Sequence, residues 1–512
     1  MVTIKRSLKD LLGEDYIDAV CRASAFCTGK QEIALQKAAA EKVALFSEED
    51  SKRLHSMIPY IGRSVTEPLS VLVNGASSQA FKDASHSFMA PLSGFGCFRV
   101  GEDGRLYLSA KSEHYHTSLG HCFPGYQLLE TAMRIGILNA THNNSRGYIT
   151  RKLERELVKW ANGLTCESDI DADAADRRGK FLNRIINLST GSLAAEAGIK
   201  LMLRNFYREE ESSPEPGCFG TVPVFFVLGD YEGGAKANYH GTTFLDQLFR
   251  EMWPDFYRKA DKAELLKIVP VKINDVQDFK QKVNSFQGGK YEPAGFIHEI
   301  VMMNYGVILV SKEYLTSVYS ICREKGIPVM CDEIQTGIWY PEVFAYRKYG
   351  LKPDIVVLGK GFSGGQYAAS RVITTSTMDG LSQFGALVTN GQQELASLSF
   401  LISLEFVRTH GEFIESIGAY YHESLSTLAA DHPKVLDGVD GLGHMAALRF
   451  KSVDTAEEFS KEMNKRCVDI SVHTYKPSCP PSALTKLPLV TTREVVDALV
   501  EIMRSVLEDE LK

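Results

Sequence analysis

The pattern of apolar and polar positions changes twice along this chain. Residues 1–90 are rich in leucine, alanine, lysine and glutamate, which predicts a helical N-terminal extension. Residues 91–110 predict a hairpin, because two apolar runs flank the turn sequence GEDG. Residues 150–163 have apolar positions at helical spacing and end on a glycine, which predicts a helix.

Beyond residue 185, short apolar runs alternate with helical segments. The runs RIINL, VPVFFVL, AGFIHEIV, IPVMC, DIVVLG and RVITT predict strands of a parallel sheet that is buried on both faces. The tail combines the helix DTAEEFSKEMNKR, the strand VDISVHTY and a closing helix, which predicts a smaller α+β unit. We therefore expect a large domain over 136–404 and a small domain built from 91–135 and 405–512, after the extension at 1–90.

Composition narrows the function classes. The chain has 512 residues, 44% hydrophobic and 24% charged, with a net charge of −7, which fits a soluble protein of two or three domains without a nucleic-acid surface. No apolar run is long enough to cross a membrane, and the N-terminus lacks an apolar signal core, so we expect a cytoplasmic protein. The ten cysteines lie far apart without a CxxC pair, and we expect no metal site.

Candidate chemistry lies at two strand ends. Asp332 closes the strand IPVMC, and Lys360 closes the strand DIVVLG one strand–helix–strand unit later. A right-handed crossover would bring these ends together at one edge of the sheet, where ligand sites gather. Each residue alone is weak evidence, because a carboxylate or a lysine after a strand commonly has only a structural role.

The stretch VMCDEIQTGIWYPEVFAYRKYGLKPDIVVLGKGFSGG resembles the signature of the class-III aminotransferases. The resemblance runs from about residue 91 to the C-terminus. It implies the type I fold of pyridoxal 5'-phosphate (PLP) dependent transferases, an α/β fold with a large, mostly parallel sheet and a smaller α+β domain. In this cofactor chemistry, PLP accepts electrons from a carbon next to an amine, and the protein supplies a lysine, a carboxylate and a phosphate site.

The resemblance also implies roles for single residues. Lys360 would hold PLP as a Schiff base and shuttle protons, Asp332 would pair with the pyridine nitrogen, and Gln335 would bond the phenolic oxygen. Gly191 and Ser192, in STGSLAAEAGIKL, would bind the phosphate through backbone N–H groups at a helix start.

Three further residues match the family motifs. Tyr239 in NYHGTT would stack on the cofactor ring, and Glu299 in HEIV would end a strand near the site. Thr389 in VTNGQQELAS would reach the cofactor phosphate of a second subunit, which implies a homodimer with shared active sites. Neighbouring His240 we interpret as a residue that fixes a turn.

The chain departs from the family where many members bind the substrate's α-carboxylate. No arginine precedes Pro488, and Lys486 is the only cation nearby. Asn304 stands where those members have the glutamate that pairs with that arginine. We therefore expect at least one substrate to be an amine or aldehyde without an α-carboxylate, unless Arg371, Lys111 or Lys486 binds that group.

Three functions remain open at this point. The first is an aminotransferase that moves an amino group between an amine or amino-acid donor and an aldehyde or keto acceptor. The second is a racemase, aminomutase or decarboxylase that uses PLP on the same fold. The third is a binding module without catalysis, against which Lys360, Asp332 and Gln335 together argue. The sequence does not name the donor or the acceptor.

Overall fold

The computed structural model describes residues 2–70, 73, 75–79, 89–141, 145–165, 180–230, 240–472 and 479–509. Tyr239, which was expected to stack on the cofactor, lies outside these residues. Within them, no helix is long and apolar enough to cross a membrane.

The N-terminal segment is helical, as its composition predicts. It contains α1 (Leu8–Leu12), α2 (Glu14–Thr28), α3 (Glu32–Ala40) and α4 (Glu48–Met57), together with the paired short strands β1 (Lys5–Arg6) and β2 (Val43–Ala44). Its apolar side chains belong to the same core cluster as the rest of the chain, and Leu8 and Leu12 are completely buried. The segment is therefore packed onto the molecule.

The hairpin expected over 91–110 forms with one additional strand. Strands β4 (Phe98–Gly101) and β5 (Leu106–Leu108) flank the GEDG turn, and β3 (Pro91–Phe95) pairs with the other edge of β4. Helices α5 (Ser112–Tyr115) and α6 (Gln127–Arg134) follow, then α7 (Tyr148–Asn162). Helix α7 ends at Gly163, whose left-handed backbone (φ +70°) closes the last turn.

A seven-stranded sheet forms the centre of the molecule. Its strands are β6 (Leu182–Leu188), β7 (Val222–Leu228), β8 (Lys267–Val271), β9 (Tyr291–Glu299), β12 (Val329–Asp332), β13 (Ile355–Leu358) and β14 (Ser370–Thr375). Their spatial order is β6-β14-β13-β12-β9-β7-β8. The short strands β10 (Val301–Met302) and β11 (Ile308–Leu309) follow β9 in sequence and pair with each other as a separate two-stranded sheet. Strands that are consecutive in sequence are therefore not always neighbours in the sheet, and β12 is the central strand.

Both faces of this sheet are buried, as its apolar runs predict. Along β7, Val224, Phe226 and Leu228 pack into one core cluster, whereas Phe225 and Val227 pack into the other. Strand β14 is antiparallel to both β13 and β6, which departs from the parallel sheet that the apolar runs predict and agrees with the mixed, mostly parallel sheet that the resemblance implies. The apolar run RVITT predicts burial but carries no information on strand direction, so the sheet is mostly parallel rather than wholly so.

Helices cover the two faces and connect the strands. They are α8 (Gly191–Leu203), α9 (Phe244–Leu248), α10 (Pro254–Lys262), α11 (Val276–Ser285), α12 (Lys312–Lys325), α13 (Ala345–Tyr349) and α14 (Gln383–Ala386). Helix α12 begins where the Ser311 hydroxyl accepts a hydrogen bond from the N–H of Tyr314, and it ends at Gly326. Such caps explain why these boundaries follow the sequence signals.

The C-terminal part is a four-stranded antiparallel sheet with helices, as the tail predicts. Helix α15 (Glu394–Asp431) leads into β15 (Leu436–Leu442), β16 (Met445–Phe450), α16 (Val453–Lys465), β17 (Ser471–Val472), β18 (Ser482–Lys486) and α17 (Arg493–Asp509). The spatial order is β15-β16-β18-β17. The boundary expected between residues 404 and 405 falls inside α15, which is a single helix with a kink at His410.

Candidate active site

Three side chains converge at the carboxyl edge of the central sheet. Strand β12 is parallel to both β9 and β13, and the pairing sets Asp332 opposite Glu299 and Val357. Strand β13 ends one residue after Val357, so Gly359 and Lys360 leave the sheet at the same edge. The fold therefore brings together Glu299, Asp332 and Lys360, as their positions at strand ends predict.

Lys360 has an unusual backbone and a buried amine. It opens a 3₁₀ turn (Lys360–Ser363) in the left-handed region at φ +41°, which a lysine rarely adopts. Burial lowers the pKa of the Lys360 amine, and the carboxylates of Asp332 and Glu299 oppose this change. A buried lysine with a lowered pKa loses its proton more readily, which suits a nucleophile or a base.

The glycines around Lys360 allow close packing. A side chain on Gly361 would place its Cβ 2.1 Å from the ring of Trp339. A Cβ on Gly359 would lie 3.5 Å from the Cα of Gly191, at the start of α8. The turn that begins at Lys360 thus lies between the segment that contains Trp339 and the start of α8.

The Asp332 carboxylate is fixed by two hydrogen bonds. Its Oδ2 lies 2.7 Å from Nδ1 of His240, and its Oδ1 accepts a bond of 2.9 Å from the N–H of Ile334. Asp332 and His240 are both almost fully buried. These contacts hold the carboxylate in one orientation, in surroundings where a charge-assisted hydrogen bond is strong.

Two polar atoms next to this pair have no hydrogen-bond partner among the described residues. They are Nε2 of His240 and Oε1 of Gln335, and both are buried. Buried polar atoms normally have hydrogen-bond partners. Two unpartnered atoms at this place therefore indicate a binding site for a polar ligand. These atoms fit a polar aromatic group bound beside Asp332.

A second part of the site lies at the start of α8. The Thr190 hydroxyl accepts a bond of 3.4 Å from the N–H of Leu193, and the Ser192 hydroxyl accepts one of 2.9 Å from the N–H of Thr242. A Cβ on Gly241 would lie 2.8 Å from the Cα of Ser192, so the two backbone segments touch. The N-terminal end of a helix with exposed N–H groups is a suitable anion site.

The other residues weighed from the sequence have the following surroundings. Thr389 is exposed in the segment before α15. Arg371 is fully buried in β14, where its guanidinium donates to the carbonyl of Leu188 and the hydroxyl of Ser397. Lys111 lies 3.0 Å from a carboxylate oxygen of Asp469.

Sequence reasoning missed the part that two residues play in this region. His240 contacts Asp332 directly, although its position beside a glycine indicated only a turn. Lys486, which the sequence offered only as a possible ligand for a substrate carboxylate, is buried, and Lys360 affects its pKa. No local signal distinguishes a histidine that holds a carboxylate from one that fixes a turn.

Comparison with known proteins agrees with this geometry. The family model for class-III aminotransferases matches residues 80–507. This chain belongs to the class-III aminotransferases. The match covers most of the sequence and includes every element of the central sheet.

Individual relatives of this class-III aminotransferase are distant. The acetylornithine aminotransferase of Caldanaerobacter subterraneus subsp. tengcongensis is 25% identical over 411 residues, 80% of this chain and 91% of the relative. The putrescine aminotransferase of Pectobacterium atrosepticum is 27% identical over 358 residues, 67% of this chain and 71% of the relative. The solved ornithine aminotransferase of Toxoplasma gondii has a TM-score of 0.65 at 18% identity, covering 94% of this chain and 100% of that one.

These findings confirm the fold, the cofactor and the reaction class. The class-III aminotransferase has the α/β type I fold of PLP-dependent transferases and catalyses PLP-dependent transamination. The unpartnered polar atoms of Gln335 and His240, and the close backbone approach at Gly241, fit that cofactor. The relatives named above are all aminotransferases, which favours transamination over the racemase, aminomutase, decarboxylase and non-catalytic alternatives.

Proposed function

We propose that Lys360 binds PLP and carries the proton-transfer chemistry of this aminotransferase. The observation that carries the proposal is the buried Lys360 amine at the same sheet edge as Asp332 and Glu299. When bound, PLP supplies an electron sink for the carbon next to the transferred nitrogen. The Lys360 amine, whose pKa burial lowers, accepts a proton from that carbon and returns it in the reverse direction.

The remaining contacts to the cofactor follow from the same geometry. Asp332, held by His240, is placed to accept a hydrogen bond from the pyridine N–H. The buried Oε1 of Gln335 would accept a hydrogen bond from the phenolic hydroxyl, and Glu299 adds negative charge beside the lysine. Gly191 and Ser192 offer the start of α8 to the phosphate. Tyr239 completes the proposed set as the stacking residue.

We propose that the amino group comes from a primary amine whose reacting carbon carries no carboxylate. The cations described around the site already have protein partners. Lys111 pairs with Asp469, Lys486 donates to the carbonyl of Gln335, and Arg371 is bound within β14. An α-carboxylate would therefore lack the bidentate arginine contact that recognises this group well.

The relatives support this choice of substrate class. Their names include acetylornithine, ornithine and putrescine. Each of these compounds carries a primary amine on a terminal methylene. We propose a terminal amine of this kind as donor and a carbonyl compound as acceptor. Because one site accepts both partners in turn, an amino acid also serves in one half-reaction.

We further propose a cytoplasmic homodimer in which Thr389 reaches the phosphate bound by the partner. Thr389 is exposed in the single chain, as a residue that contacts a second subunit must be. Closed two-fold symmetry would create two equivalent sites. Residues 136–404 would form the large domain and residues 91–135 and 405–512 the small one, after the extension 1–90.

Lys360→Ala tests the central assignment. We expect loss of the visible absorption change that accompanies covalent attachment of PLP, together with loss of turnover, because no other amine takes the place of Lys360. Lys352→Ala, in the exposed turn before β13, is the matched control and should behave as the parent protein. Steady-state turnover at the parent rate in Lys360→Ala would contradict the assignment.

Putrescine and ornithine test the substrate class. Ornithine carries a terminal amine like those of putrescine and also an amine beside its carboxylate, so one molecule offers both chemistries. With both compounds at equal concentration, we expect aldehyde products from terminal amines. A keto acid formed from the α-amine of ornithine as the main product would contradict the proposal, and the search would return to Lys111 and Lys486.

A further inference from the structure

A second lysine is buried behind the wall of the site. Lys486 is the last residue of β18, in the C-terminal sheet, and its side chain is completely buried. Its backbone N–H donates to the carbonyl of Ala110 at 2.8 Å, and its own carbonyl accepts a hydrogen bond from the hydroxyl of Ser112. The strand end is thus fixed before the side chain reaches toward the central sheet.

The Lys486 side chain contacts the segment that carries Asp332. Its Nζ donates to the backbone carbonyl of Gln335 and lies 3.6 Å from the centre of the Trp339 ring. Both contacts suit an ammonium group, because a carbonyl dipole and an aromatic face each attract positive charge. Lys486 therefore connects the C-terminal sheet to the turn beyond Asp332.

Trp339 carries this connection on to Lys360. Its indole N–H donates to the carbonyl of Leu487 at 3.2 Å, and its ring lies so close to Gly361 that a Cβ there would be 2.1 Å away. Trp339 thus contacts both the Lys486 amine and Gly361, the residue that follows Lys360.

Electrostatics couples the two lysines. Burial lowers the pKa of Lys486 well below its usual value, the charge of Lys360 lowers it further, and Glu299 opposes both effects. Two buried amines this close do not hold their protons independently, because each positive charge disfavours the other. Lys360 and Glu299 are the titratable groups that act on the Lys486 amine.

We propose that Lys486 is a positioning residue for transamination: through its contacts with the Gln335 carbonyl and the Trp339 ring, it holds the Gln335–Trp339 segment against the Lys360 turn. The proposal rests on the assignment of Lys360 as the PLP-binding lysine. Its consequence is that the Lys360 turn keeps one orientation at the edge of the central sheet, so the Lys360 nitrogen keeps one environment.

Two neutral variants of the holoenzyme test the proposal. Lys486→Met removes the charge and the hydrogen bond, whereas Lys486→Gln removes the charge but retains an N–H donor for the Gln335 carbonyl. The readout is the visible band of bound PLP, whose position reports protonation of the Lys360 nitrogen, followed against pH. We expect Lys486→Met to shift the midpoint of this titration by about one pH unit, because the Lys360 turn loses its fixed environment, and Lys486→Gln, which still donates to Gln335, to shift it by less than half as much.

Ser112→Ala is the matched control. It removes a hydrogen bond to the carbonyl of Lys486 and leaves the ammonium in place, so its midpoint should equal that of the parent. An unchanged midpoint in both Lys486 variants would overturn the proposal. An equal shift in Lys486→Met and Lys486→Gln would assign the effect to the lost charge and overturn the role of the hydrogen bond. A visible band that persists in Lys360→Ala would instead count against the assignment of Lys360, which separates the two questions.

Discussion

The hydrogen bond between His240 and Asp332 leads to the sharpest prediction, made with the substitution His240→Leu. Leucine fills a similar volume but donates no hydrogen bond, so Oδ2 of Asp332 loses its 2.7 Å contact with Nδ1 while Oδ1 keeps the bond from Ile334. A hydrogen bond to a buried charged group contributes about 1.5–3 kcal/mol. If that contribution stabilises the transition state through Asp332, kcat/KM falls about 10- to 150-fold.

The assay is steady-state transamination, with bound PLP measured in the same samples so that loss of cofactor is separated from loss of rate. His240→Asn, whose amide can donate to the carboxylate, should recover most of the activity. Tyr319→Phe is a matched control, because it removes a comparable buried bond of 2.8 Å to His298 in the neighbouring strand. It should lower stability without lowering the rate of folded enzyme, and activity of His240→Leu within twofold of the parent would refute the reasoning.

Three other predictions concern the carboxylate, the assembly and the pH dependence of stability. Asp332→Ala should lower turnover by at least about 100-fold, measured on PLP-loaded enzyme, because a preorganised charge opposite the cofactor is lost; near-parent rates would mean that another group takes its place. Activity per subunit should fall when dilution separates the subunits, and sedimentation in parallel measures that separation. Thr389→Ala should weaken PLP retention in the dimer. Full activity of a proven monomer would contradict both expectations. Burial lowers the folded-state pKa of Lys486, so the unfolded chain binds more protons below about pH 10 and the free energy of unfolding rises with pH. In urea unfolding of the unloaded protein, Lys486→Met should show a smaller rise with pH than the parent. Equal dependence on pH in the two proteins would be incompatible with a buried, pKa-shifted lysine.

The central sheet and its lysine–aspartate pair were predictable because both follow from local patterns. Apolar runs mark buried strands, and parallel neighbours bring their carboxyl ends together, so Asp332 and Lys360 had to meet once β12 and β13 paired. The direction of β14 was not predictable in this way. Its residues are apolar whichever way the strand runs, and only its position between β6 and β13 reveals the antiparallel pairing.

Contacts between distant segments were the harder part. His240 lies 92 residues before Asp332, and nothing local distinguishes a histidine that fixes a turn from one that holds a carboxylate. Lys486 lies 151 residues after Gln335, and its burial depends on how the C-terminal sheet docks against the central one. The long helix α15 also extends through the expected domain boundary, because its apolar residues continue on both sides of residue 404.

The attachment of the Lys360 turn also has a consequence for biosynthesis. Ser118 donates its hydroxyl to the carbonyl of Gly361, and the end of β18 bonds to Ala110, so segments from near both ends of the chain close around the lysine. During translation the central sheet is synthesised well before residue 486 emerges from the ribosome. A nascent chain can therefore possess the nucleophile long before its surroundings exist, and the ability to capture PLP productively should be among the last properties the protein acquires as it folds.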